Sequence, residues 1–159
     1  MKREVEYQLE RNIKRIGHLD IAGGGQVVTQ GDYAYIGHMD APHGTSIIDI
    51  SNPKDPKKIC HIAPPDAYSH THKVRVQGEI MITNVEMAGR HFLRKGDKIP
   101  ALRAKGLSDS AIAKELSVKE SDISILQEAQ ERGYDGGGFR VWDISNKEKP
   151  RLLSYIKTD

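Results

Sequence analysis

The sequence predicts a mainly β protein, made of two four-stranded antiparallel units in tandem with an α-helical insertion in the second. Three observations carry that expectation. Gly44, Asp49, Ile50, Ser51, Asn52 and Pro56 recur as Gly138, Asp143, Ile144, Ser145, Asn146 and Pro150, all 94 positions later, and self-similarity in one register marks a repeat architecture. Short runs alternate apolar and polar residues between turn-forming residues, the period of half-buried strands. Between residues 97 and 132 the alternation gives way to helical spacing.

Taken in order, residues 1–12 are charged and mixed and read as a lead-in. Residues 14–19 (Lys-Arg-Ile-Gly-His-Leu) parallel residues 57–62 and 151–156 in alternation, which predicts a strand and a third, partial copy of the repeat. The first unit, near residues 25–66, follows as strands at 26–30, 33–36, 45–50 and 57–62. Gly31-Asp32 forms a hairpin turn, residues 37–44 a loop, and residues 51–56 a Pro/Asn turn. The second unit, near 69–159, has strands at 72–76 and 79–83, turned at Gln77-Gly78. An insertion of about residues 87–135 interrupts it, and its last two strands resume at Phe139. Four short strands per unit is the spacing of a propeller-type blade.

The turn residues have a physical role in this pattern. Asp49 and Asp143 each end an apolar strand just before a Ser-Asn pair, where a carboxylate accepts backbone N–H bonds and tightens the turn. Pro56 and Pro150 open an outer strand, where a missing N–H costs least. Trp142 follows the alternation and packs between blades. In the insertion, residues 100–105 make a short helix stopped by Gly106. Ser108 caps a second, and Ser117-Val-Lys-Glu120 has the form of a capping box opening a third. That helix carries Ile123, Leu126 and Gln130 on one stripe and ends at Gly133.

Bulk properties narrow the function classes. The 159 residues carry 24 Lys+Arg against 22 Asp+Glu, a net charge of +2. That balance argues against a broad nucleic-acid surface. No apolar run reaches the roughly 20 residues that span a bilayer, and no apolar signal core begins the chain, so a cytoplasmic location is expected. Cys60 is the only cysteine, which excludes an internal disulfide and reads as a buried thiol.

Residues 31–37 (Gly-Asp-Tyr-Ala-Tyr-Ile-Gly) and 47–56 (Ile-Ile-Asp-Ile-Ser-Asn-Pro-Lys-Asp-Pro) resemble the LVIVD-repeat family of β-propeller proteins. Its core runs apolar-apolar-Asp-apolar-Ser-x-Pro-x-x-Pro, matched in both copies except that Lys147 replaces the first proline of the second. The resemblance spans residues 13–88 and 134–159 and implies about two blades. Two blades cannot close a ring, so the chain is expected to associate with itself or to belong to a longer propeller, and an open face is suited to a protein or small-molecule ligand. Residues 107–123 also resemble a DNA-binding helix-turn-helix. Its second helix, however, carries Lys119 and Arg132 against Glu120, Asp122, Glu128 and Glu131, a sign that phosphates repel.

Blade topology brings the loop at 37–44, the stretch 63–72 and the entry to the insertion at 84–86 to one face. That face then holds His38, Asp40, His43, His70, His72 and Glu86. His70 and His72, at i and i+2 on extended chain, project the same way. Imidazoles with a nearby carboxylate suit a divalent metal such as Zn, Fe, Cu or Mn. The expected ligands are His70 and His72 first, then His38 or His43, with Asp40 or Glu86 as the carboxylate. His18 and His61 sit at equivalent outer-strand positions and read as structural. Gly23-Gly24-Gly25 and Gly136-Gly137-Gly138 precede strands rather than helices, so they are not phosphate loops. No nucleophile elbow is present. The functional expectation is a propeller-type binding or scaffold module, with two alternatives: a metal-dependent hydrolase or oxidoreductase using the histidines, and DNA binding through the insertion.

Overall fold

The computed structural model describes residues 13–158. The lead-in at 1–12 lies outside the described residues. Two antiparallel sheets, of four and five strands, face each other, and a helical segment joins two strands of the second.

The first sheet is a meander of β1 (Gly24–Gln30), β2 (Tyr33–His38), β3 (Thr45–Asp49) and β4 (Lys57–Ile62). Gly31, at φ +56°, makes the β1–β2 turn, a left-handed conformation that glycine adopts without a Cβ penalty. At the β3–β4 turn Asp49 Oδ1 accepts from Ser51 N at 2.9 Å. The matching bond, Ser145 N to Asp143 Oδ1, is also 2.9 Å, and Pro56 and Pro150 each stand one residue before a strand.

The second sheet has five strands where four were expected: β5 (Ser69–His70), β6 (Val74–Gln77), β7 (Ile80–Met87), β8 (Gly138–Asp143) and β9 (Arg151–Lys157). The extra strand comes from a break. β5 pairs with the far end of β7, at Met87 and Glu86, while β6 pairs with its near end, Thr83 to Ile80. One inner strand is thus interrupted at residues 71–73.

Residues 14–19 are not a strand. They pair with neither sheet, and Ile13 and Ile16 stay largely exposed. His18 is therefore not an outer-strand partner of His61, which lies in β4.

The main core lies between the sheets. Tyr35 and Ile47 of the first meet Val74, Met81 and Trp142 of the second, with Ile144 beside them. Trp142 Nε1 donates to Thr83 Oγ1 at 3.1 Å, which satisfies two buried polar atoms together.

Between β7 and β8 come α1 (Arg90–Leu93), a 3₁₀ turn (Arg94–Lys98), α2 (Ile99–Ala104), α3 (Asp109–Leu116), a second 3₁₀ turn (Glu120–Asp122) and α4 (Ile123–Arg132). They enclose a separate core of Ile99, Ile112, Ala113, Leu116, Ile123 and Leu126. Ser108 Oγ accepts from Ala111 N and caps α3. The expected capping box at residues 117–120 is displaced. Ser117 instead ends α3 with φ 52°, and Asp122 Oδ2 accepts from Lys119 N at 3.0 Å, so the next turn begins two residues later. Among the described residues no helix is long and apolar enough to cross a membrane, and no closed propeller forms.

Candidate metal centre

The break in the inner strand builds the site. At residues 71–73 the backbone turns from β7 toward the first sheet. Thr71 O accepts from His38 N at 2.7 Å and His72 O accepts from Gln26 N at 3.0 Å. Asn84 of β7 bridges part of the gap, its Oδ1 accepting from Lys73 N at 2.8 Å. Gly37 permits the approach, because a Cβ there would lie 2.5 Å from His72 C. With its peptide groups committed to the first sheet, the segment presents both the His70 and His72 rings to Glu86 of β7.

Three ligand atoms converge. His70 Nε2 and His72 Nδ1 are 3.2 Å apart, and Glu86 Oε2 lies 3.9 Å from the former and 3.7 Å from the latter. A point equidistant from the three is about 2.1 Å from each, within the Zn–N and Zn–O range of about 2.0–2.2 Å. Among the described residues this is the group of histidine, cysteine and acidic side chains whose donor atoms gather closely enough for one ion. Asn84 Nδ2 lies 3.3 Å from His72 Nδ1, a contact that an ion bound at that nitrogen would replace. Burial pushes the His72 pKa down, against the opposing pull of Glu86, which keeps the ring in the neutral form that binds metals. His70 is nearly buried, and its Nδ1 has no hydrogen-bond partner.

Glu86 also lines a cleft of about 470 Å³ between the β7–β8 strand ends and the helical segment. Arg90, Arg94, Gln130 and Tyr134 contribute polar groups, and Met87 and Leu93 contribute apolar surface. Tyr134 is held in place by a chain in which its hydroxyl meets Ser69 Oγ at 2.8 Å and Ser69 donates to Asp66 Oδ2 at 2.9 Å. Burial pushes the Tyr134 phenol pKa up, so it remains a donor. Arg90 and Arg94 form no ion pair among the described residues.

The remaining expected ligands are placed elsewhere. His38 ends β2, and both its ring nitrogens are engaged, with Ala22 O at 3.0 Å and Ser46 Oγ at 2.8 Å. His61 Nδ1 shares that Ser46 hydroxyl at 3.0 Å, and His43 stacks near both rings at centroid distances of 5.8 and 6.0 Å. His38 and His43 therefore form a second histidine group with His61 and do not join His70 and His72. Asp40 is exposed in the turn that His43 N closes onto its carbonyl.

Arg140 was not singled out from the sequence. It is buried over the Trp142 ring at 4.8 Å, donates to Ala63 O at 3.0 Å and leaves its Nε unpaired. The only sequence signal for it is that Arg140 shares the inward parity of Trp142.

No curated protein and no solved structure matches the chain. A family model does match: residues 24–60, which cover β1 to β3 and most of β4, are an LVIVD repeat, a unit associated with β-propeller-like folds.

Proposed function

We propose that this protein is a propeller-like ligand-binding module whose site is one divalent transition-metal ion held by His70, His72 and Glu86. The observation that carries this reading is the triangle of donor atoms, whose centre stands about 2.1 Å from each of them. Three protein ligands leave positions open for a small molecule in the adjoining cleft. One carboxylate leaves a divalent ion with excess positive charge, and Arg90 and Arg94 add to it. The ligand that fits is a small anion, such as a carboxylate or phosphate ester.

The enzymatic alternative rests on the same ion, which would lower the pKa of a bound water. Glu86, serving as a ligand, is then unavailable as a general base, and Asp97 is the other carboxylate lining the cleft. Binding is therefore the first reading.

Elemental analysis of tag-free protein tests it. The expected result is one metal equivalent per chain, lost in His70→Ala and in His72→Ala, each with an unchanged far-ultraviolet circular dichroism spectrum. A metal-free parent that also fails to take up added Zn²⁺ or Mn²⁺ would overturn the proposal.

A further inference from the structure

The directions of the hydrogen bonds around the cleft restrict its ligand further. Ser69 Oγ has one proton, and it goes to Asp66 Oδ2 at 2.9 Å, since a carboxylate only accepts. At the 2.8 Å contact between Ser69 Oγ and the Tyr134 hydroxyl, the tyrosine is therefore the donor. Burial raises the Tyr134 pKa, with Asp66, Tyr155 and Glu86 adding to the rise and the Ser69 bond opposing it, so the phenol keeps that proton. A phenol has only one to give. Tyr134 lines the cleft beside Glu86, so what its oxygen can offer a ligand there is a lone pair.

Charge sets a second condition. Among the described residues, Arg90 and Arg94 are the cationic side chains of the cleft wall, and Glu86 and Asp97 are the anionic ones. These cancel, and His70 and His72 hold an ion as neutral rings. The two positive charges of a divalent ion are then left for the ligand, and a dianion matches them. The two arginines stand four residues apart, a spacing that lets both reach one carboxylate.

The ligand must thus bring two negative charges and, at the ion, a group that coordinates and still donates. A hydroxyl on the carbon next to a carboxylate does both. The two oxygens close a chelate ring on the metal, and the hydroxyl proton remains for Tyr134. Three protein ligands leave the ion room for both oxygens in five-coordination. An ammonium in the hydroxyl's place would first have to surrender a proton to coordinate. A phosphate monoester, largely dianionic at neutral pH, brings no donor. We infer, resting on the metal centre proposed above, that the cleft takes a 2-hydroxydicarboxylate. Its hydroxyl and adjacent carboxylate lie on the ion, its hydroxyl proton on Tyr134, and its far carboxylate between Arg90 and Arg94.

Calorimetric titration of the Zn²⁺-loaded full chain with malate, and with succinate, which lacks only the hydroxyl, tests the inference. Malate should bind roughly tenfold more tightly, the effect of one hydrogen bond. Tyr134→Phe should remove most of that preference, with succinate binding and zinc content unchanged. Arg94→Gln should weaken both acids alike. Should Tyr134→Phe fail to fold, Ser69→Ala reads the same contact: it frees the phenol proton to turn into the cleft, and the preference should again fall. A chain that takes up no Zn²⁺ overturns this inference together with the metal centre. A zinc-loaded chain that binds the two acids equally, binds neither, or keeps its preference in Tyr134→Phe overturns this inference and leaves the metal centre standing.

Discussion

Replacing Gly37 by Ala should damage the inter-sheet contact and the candidate metal centre together. The added Cβ would stand 2.5 Å from His72 C, 2.7 Å from His72 O and 2.8 Å from Thr71 O. Carbon–carbon contact is comfortable from about 3.5 Å, a shortfall of roughly 1 Å. All three opposing atoms are backbone, so no side chain can swing aside, and residues 71–72 must withdraw. Doing so strains or breaks the bonds from His38 N to Thr71 O and from Gln26 N to His72 O. Two hydrogen bonds at about 1 kcal/mol each, with overpacking strain of about 1–3 kcal/mol, give a loss of roughly 3–5 kcal/mol. For a chain of this size each kcal/mol moves Tm by about 2–4 °C, hence a fall of roughly 6–20 °C by calorimetry. His72 Nδ1 withdraws with its backbone, so Zn²⁺ affinity measured by competition titration should drop about 10–100-fold. Gly31→Ala is the control. It has open space around it but φ +56°, so it should cost about 1 kcal/mol with metal affinity unchanged. A Gly37→Ala protein with the parent's Tm and metal affinity would refute the reasoning.

Two further predictions follow from the cores. Trp142→Phe leaves Thr83 Oγ1 buried without its donor and should cost about 1–3 kcal/mol in urea unfolding; adding Thr83→Val should restore part of that loss. Burial pushes the His38 pKa below its ordinary value, helped by the neighbouring His43. The unfolded chain then binds more protons than the folded one just below pH 6.5. The stability due to neutral His38 is present above that pH and is lost as pH falls through the folded-state value. His38→Gln should flatten this acid limb in stability measured against pH.

Local periodicity exposed the first sheet, since alternation between Gly and Pro/Asn turns is a property of neighbouring residues. Residues 14–19 carried the same alternation and formed no strand, because pairing requires an edge that no local pattern reports. The break at 71–73 was equally hidden, since it depends on peptide groups finding His38 and Gln26, 33 and 46 positions away. His70, His72 and Glu86 could be read from i, i+2 spacing and from which strand ends share a face. His38 and His43 do stand beside the His70–His72 segment, through His38 N to Thr71 O and Thr71 N to His43 O, but the parity of β2 turns the His38 ring toward Ser46 and His61. Arg140 defied the pattern because a cation occupies an inward position normally read as apolar.

The segment from His70 to His72 is bonded to both sheets at once, so the metal centre and the inter-sheet contact share one piece of backbone. An ion that draws His70, His72 and Glu86 together therefore also draws the sheets into register. The coupling is reciprocal: whatever tightens the sheets tightens the site. At free metal a hundred times its Kd, the linkage amounts to about 2.7 kcal/mol of added stability. If the proposed ion binds, the break in the strand makes sheet packing responsive to metal supply.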